Sequence, residues 1–188
     1  MRQLLGHPIL PGENFFTVEE IFPELNEHID FHQNVVNEFG LKYLAKFVFD
    51  KRVENFAING NPMPLNQIKQ DSLILLNLSE CHLYSEDLFI LSQFLKANSS
   101  ITHINLSRNC IGLNNSGLHE SLGLEHFAIA LSKTSAILEL DISLNDIGPE
   151  NFALLQKIFL SNINLELLNI ANCGIDGQQT IDLCEGLM

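Results

Sequence analysis

Apolar residues along this chain recur at relative positions one, four, six and eleven, with Asn or Cys at position nine. Val53, Phe56, Ile58, Asn61 and Met63 make the first copy, and Leu73, Leu76, Leu78, Cys81 and Leu83 the second. Ile101, Ile104, Leu106, Asn109 and Ile111 follow, then Ile137, Leu140, Ile142, Asn145 and Ile147, then Leu165, Leu168, Ile170, Cys173 and Ile175. Such a repeat sets the architecture before any single residue does. The apolar–x–apolar centre predicts a short strand with one face buried. At position nine a short side chain turns the chain and can bond backbone groups left open where the strand ends. Gly112, Gly148 and Gly174 then let the chain bend toward the next element. Helical stripes come next: Leu88, Leu91, Phe94 and Leu95 behind Ser85 as a cap, then Leu124, Phe127, Ala130 and Leu131. Phe152, Leu155, Ile158 and Phe159 follow Pro149, which suits a first helical turn.

The spacing between copies is uneven. Copies two and three, and copies four and five, lie 28 residues apart. Copies one and two are 20 apart, so the connection holding Pro62, Pro64 and Gln67 is too short for a full helix. Copies three and four are 36 apart, and the 8 extra residues fall in Gly112–Gly123, which reads as an inserted surface loop. Nothing before Val53 repeats. Thr17–His28 and Asn34–Asp50 read as helices, the second able to bury Val35, Val36, Phe39, Tyr43, Leu44 and Phe47 on one side. A stack of units needs its exposed end covered. Residues 1–52 are therefore expected to be an α-helical N-terminal cap, and residues 53–188 the repeat domain, with the insertion at 112–123.

On these residues the chain resembles the leucine-rich repeat proteins of the ribonuclease-inhibitor-like subfamily, from roughly Val53 onward. The resemblance implies an α/β solenoid, with a short parallel sheet on the concave face, helices on the convex face and five strands side by side. It also implies a non-enzymatic module that binds a partner protein on the concave face, inhibiting or scaffolding it. The abundance of Asn and Ile suits a microbial or protist source, and leucine-rich repeat effectors of intracellular bacteria fit that pattern. An alternative implied by resemblance is a GTPase-activating protein of the Ran-activator type, for which Arg108 is the one suitably placed arginine. A third reading is a structural protein that self-associates through its C-terminal end.

Charge narrows the partners. Ten Lys and Arg against 23 Asp and Glu give a formal net charge of −13, which repels nucleic acid and anionic membranes and favours a protein with a basic surface. No apolar run is long enough to span a membrane, and the broken apolar stretches of Met1–Gly12 do not read as a signal peptide. A cytoplasmic location is expected, or a host cytosol for an effector. Cys81 and Cys173 sit at the turn position, Cys110 adjoins another, and Cys184 reads as a small buried residue of the last helix. His28 and His32 stand four apart but lack a third ligand, so no metal, cofactor or catalytic residue is expected.

The residues between the buried positions of each strand should face outward as columns of candidate contacts. The partner-binding set drawn from them is Glu54, Leu75, Asn77, Glu80, His103, Asn105, Arg108, Glu139, Asp141, Leu144, Glu166 and Asn169. Five columns on five repeats supply about 25 positions, near the 20–30 residues that a standard interface uses on each side.

Overall fold

The computed structural model describes residues 28–31, 34, 36–51, 53, 55–161 and 164–187. They form a mixed α/β fold with a four-stranded parallel sheet and, among the described residues, six helices. His28–Asp30 (β1) pairs in parallel with Asn55–Ala57 (β2), and Glu38–Asp50 (α1) lies between them in sequence. Leu65–Lys69 (α2) leads to Leu75–Asn77 (β3), and Ser85–Leu95 (α3) to His103–Asn105 (β4). Leu122–Leu131 (α4), Glu139–Asp141 (β5), Pro149–Ser161 (α5), Leu167–Asn169 (β6) and Gly177–Leu187 (α6) complete the order.

The repeat dictates this arrangement. Leu76, Ile104 and Leu140 are buried and pair in register with Leu168, while Leu78, Leu106 and Ile142 lie one step further along. Helix stripes close the other side of the core: Leu88, Leu91, Phe94, Leu124, Phe127 and Leu131 are all buried. Burial of this apolar area, at about 25 cal/mol per Å², is the main stabilising term.

The position-nine residues bind neighbouring units together. Asn109 Oδ1 accepts from the Cys81 and Leu83 amides, each at 3.0 Å, while its Nδ2 donates to the Leu78 and Leu106 carbonyls at 2.8 and 2.9 Å. Asn145 Nδ2 donates to the Leu106 and Ile142 carbonyls, each at 2.9 Å. Cys173 replaces the amide with a thiol that donates to the Ile142 carbonyl at 3.2 Å, and burial pushes that thiol's pKa up, keeping the proton in place. In copies three to five, one side chain per unit thus satisfies backbone groups that burial would otherwise leave open.

Several expectations need correction. Five strands were expected in one sheet, but β2 pairs with β1 and only four strands make the larger sheet. The chain folds back after β2, where the Phe56 carbonyl accepts from the Met63 amide at 3.0 Å and the Ile58 and Asn59 amides bond Asp87. Those backbone groups are thereby spent. The expected wholly α-helical cap contains strand β1, and the expected helix at residues 17–28 lies mostly outside the described residues. The second expected helix starts at Glu38 rather than Asn34, capped by Asn37, whose Oδ1 accepts from the Gly40 amide. It buries Leu41, Ala45 and Val48, so Phe39 and Tyr43 end on its exposed side. At the start of α3 the Asp87 carboxylate accepts from the Tyr84 amide at 3.0 Å, while the expected cap, Ser85, uses its hydroxyl to accept from the Gly123 amide at 2.9 Å. Cys184 is exposed, because Leu183 beside it takes the buried position of α6. α2 is a single turn, in keeping with its short connection.

The strand face as candidate functional site

Each strand of the larger sheet sends its central residue inward and its two flanking residues to the opposite side. Parallel register aligns those flanking residues into rows. One row reads Leu75, His103, Glu139 and Leu167, and the next Asn77, Asn105, Asp141 and Asn169. At about 4.8 Å between strands, each row spans roughly 14 Å. Past the strand ends lie Glu80, Arg108, Leu144 and Asn172, and before them Ile74, Thr102, Leu138 and Glu166. The sheet therefore brings together eleven of the twelve predicted contact residues. Glu54 lies outside the described residues.

Their chemistry is not uniform. In the first row His103 Nε2 stands 3.5 Å from Glu139 Oε1, and its Nδ1 meets the Thr102 hydroxyl at 2.6 Å. Leu75 and Leu167 flank this pair with 58% and 48% of their surface exposed. With Ile74, 67% exposed beside Leu75, they form two apolar ends around a polar centre. Neighbouring exposed apolar groups such as Ile74 and Leu75 are a feature of interaction surfaces, whereas single ones are ordinary.

The second row has a structural duty that the sequence reading missed. Asn77 Oδ1 accepts from the Ser79 amide at 3.1 Å, Asn105 from Ser107 at 2.9 Å, Asp141 from Ser143 at 2.9 Å, and Asn169 from Ala171 at 3.2 Å. Each is an Asx turn in which the side chain bonds its own backbone two residues on. Asn169 Nδ2 also donates to Asp141 Oδ2 at 3.0 Å. The signal was present as Asn-x-Ser or Asp-x-Ser directly after three of the four strand centres, and as Asn-x-Ala after the fourth.

The turn positions follow the same rule of one device per unit. Glu80, Arg108, Leu144 and Asn172 all have φ of 57–58°, the left-handed region that side chains with a Cβ seldom adopt. Lateral backbone bonds hold them there. The Glu80 amide donates to the Ser107 carbonyl at 3.0 Å, Arg108 to Ser143 at 2.9 Å, and Leu144 to Ala171 at 2.8 Å.

Electrostatically, the face is less acidic than a count of residues suggests. Arg108 Nε lies 3.4 Å from Glu80 Oε1, and His103 faces Glu139, leaving Asp141 and Glu166 as the acidic groups without an ion pair on the described face. Among the described residues no three His, Cys, Asp or Glu side chains converge to hold a metal ion, and no helix is long and apolar enough to cross a membrane. All four cysteines are free thiols. His28 has no described side chain, and His32 lies outside the described residues.

No family model matches the chain, and no curated protein sequence does. Solved structures do. The leiomodin-1 actin-binding site 2 domain superposes with a TM-score of 0.56 at 17% identity, covering 65% of this chain and 69% of that one. The tropomodulin C-terminal domain of Caenorhabditis elegans covers 87% of this chain and 83% of its own, at 13% identity and a TM-score of 0.45, too low to carry an argument. At these identities the likeness is one of fold alone. The leiomodin-1 match overturns the resemblance to the ribonuclease-inhibitor-like subfamily, and with it the bacterial effector reading, because that neighbour is of a different family. The reason is physical. Apolar residues at one, four and six with a turn-forming Asn at nine are what any strand–turn–helix unit of this shape needs, so the pattern identifies the unit and not the lineage. Nor does any neighbour support GTPase activation.

Proposed function

We propose that this chain is a non-enzymatic binding module of leucine-rich-repeat type, a short solenoid that holds a partner protein on its concave strand face. The observation that carries the reading is the row Leu75–His103–Glu139–Leu167, where exposed leucines flank a polar His–Glu contact across four strands in register. A polar centre between apolar anchors gives a partner both area to bury and groups that fix orientation. Asp141 and Glu166, without ion-pair partners there, favour a basic surface on the partner, and the free thiols suit a reducing, cytoplasmic compartment. The contact set is Leu75, Asn77, Glu80, His103, Asn105, Arg108, Glu139, Asp141, Leu144, Glu166 and Asn169, together with Glu54 at the edge. Actin is the first partner to assay, because the leiomodin domain is named for binding it.

The test is affinity capture with wild-type chain and with Leu75→Asp/Leu167→Asp, alongside actin co-sedimentation. Both leucines are exposed, so the variant should keep its circular dichroism. Loss of one specifically retained protein supports the reading. Equal retention by both chains would move the interface off the strand face.

A further inference from the structure

The helical side carries a feature that strand-face binding does not use. α1, α3 and α4 line an open surface depression of about 330 Å³, bordered by Lys42, Ala45, Lys46, Phe49, Phe89, Gln93 and His126. Its floor is apolar: Phe89 and Ala45 are buried core residues, and Phe49 packs against Phe94 at 5.4 Å between ring centres. Its rim is cationic in a chain of net charge −13. Lys42 pairs with Glu38 at 2.6 Å, whereas Lys46 is exposed and has no ion-pair partner among the described residues. Lys96 stands one step away, its Nζ donating to Gln93 Oε1 at 2.7 Å.

That last bond orients the rim. With Gln93 Oε1 taken by Lys96, Gln93 Nε2 points to His126 Nδ1 at 3.2 Å and donates to it. The neutral imidazole must then carry its proton on Nε2, which bonds nothing else among the described residues and can donate to an anion. The ring itself packs against Phe89, 4.4 Å between centres and tilted by 59°.

We propose that this pocket binds a small amphiphilic carboxylate, its apolar body on Phe49, Phe89 and Ala45 and its carboxylate at Lys46 and His126 Nε2. The volume is at the lower end of small-molecule sites, which run from about 300 Å³. Charge complementarity selects the anion. The pocket also links binding to protons. In the free protein burial, then Lys96 and Lys42, hold the His126 pKa below the usual histidine value, opposed by Glu38 and Glu125. A bound carboxylate reverses the local sign and raises it; the added proton sits on Nδ1, so the Gln93 amide must turn its Oε1 to the ring and release Lys96, and with that turn binding tightens as pH falls through the histidine range.

Octanoate is the probe, titrated into the millimolar range while the His126 ring is followed by NMR, with octylammonium and a short Phe–Asp peptide as comparisons. The expected result is saturable movement of the His126 resonances with octanoate, a higher His126 pKa in the complex and weaker binding to Lys46→Glu by about tenfold, equivalent to one charge contact of about 1.4 kcal/mol. Leu75→Asp/Leu167→Asp should bind octanoate as wild type does, which separates this site from the strand face. Equal response to octylammonium, or no saturable change at His126, overturns the proposal. Tighter binding of the peptide at the same resonances overturns the small-molecule source and assigns the pocket to an acidic–aromatic segment of a protein.

Discussion

Replacing Asn109 with Ala should be among the most damaging single changes outside the apolar core. Its carboxamide sits between two units, accepting from the Cys81 and Leu83 amides and donating to the Leu78, Leu106 and Ser107 carbonyls. Truncation strands two amides and the Leu78 carbonyl, whereas the Leu106 carbonyl keeps the bond from Asn145. Each buried polar group left open costs about 1–3 kcal/mol. Partial relaxation brings the total to about 3–5 kcal/mol, a large share of the roughly 5–15 kcal/mol that holds a domain folded. Asn145→Ala should cost less, because Asn145 Oδ1 takes only the Ile111 amide, at 3.3 Å. Asn109→Cys should fall between wild type and Ala: a thiol can donate to a carbonyl, as Cys173 does, but is a weak acceptor for the two amides. Urea unfolding followed by far-UV circular dichroism measures all three, with an unchanged slope showing that the unfolded state is the same. A cost for Asn109→Ala below about 1 kcal/mol, or below that of Asn145→Ala, would refute the assignment of Asn109 as a link between units.

Other substitutions read different parts of the account. Leu106→Ala and Leu140→Ala, both fully buried, should each cost about 2–5 kcal/mol in the same assay, and a surface-like cost would contradict the register. Leu144→Asn should be neutral or raise the melting temperature, because Asn tolerates the left-handed backbone at φ 57° better than Leu; a clear loss would mean that the Leu144 side chain packs in the folded chain. Glu86→Gln tests a buried carboxyl whose pKa is raised, chiefly by burial. A raised folded-state pKa means that Glu86 favours folding most when protonated, below its unfolded value, and that this contribution is lost as pH rises through the folded value. The Gln variant should therefore be more stable than wild type at neutral pH, with the gain vanishing in acid, and a pH-independent difference would oppose the assignment. For partner binding, Glu139→Lys/Asp141→Asn should weaken retention without unfolding, since Asn keeps the turn to Ser143 that Lys would break.

Periodicity made the larger sheet and the buried helix stripes legible, because strands of period two and helices of period 3.6 leave different marks on the same apolar residues. The first copy has the same marks, but no local pattern could show that the Phe56 carbonyl is used by Met63 or that β1 lies beside it. Pairing between residues 28 and 55 is a tertiary fact. At the strand face, the columns were readable from alternation. What alternation could not show is that Asn77, Asn105, Asp141 and Asn169 are half committed to their own turns, or that Glu80 and Glu139 face Arg108 and His103. The helical pocket joins residues from three helices that stand as far apart as Lys42 and His126, so no spacing in the chain announces it.

The central claim is that the partner sits on the strands, and a photo-crosslinking amino acid placed at single positions tests it directly. Leu75 and Leu167 are exposed on the strand face, and Ile129 is exposed on α4 on the helical side. The account predicts that probes at Leu75 and Leu167 trap the same partner protein and that a probe at Ile129 does not. Crosslinking from Ile129 alone, with silent probes at Leu75 and Leu167, would contradict it.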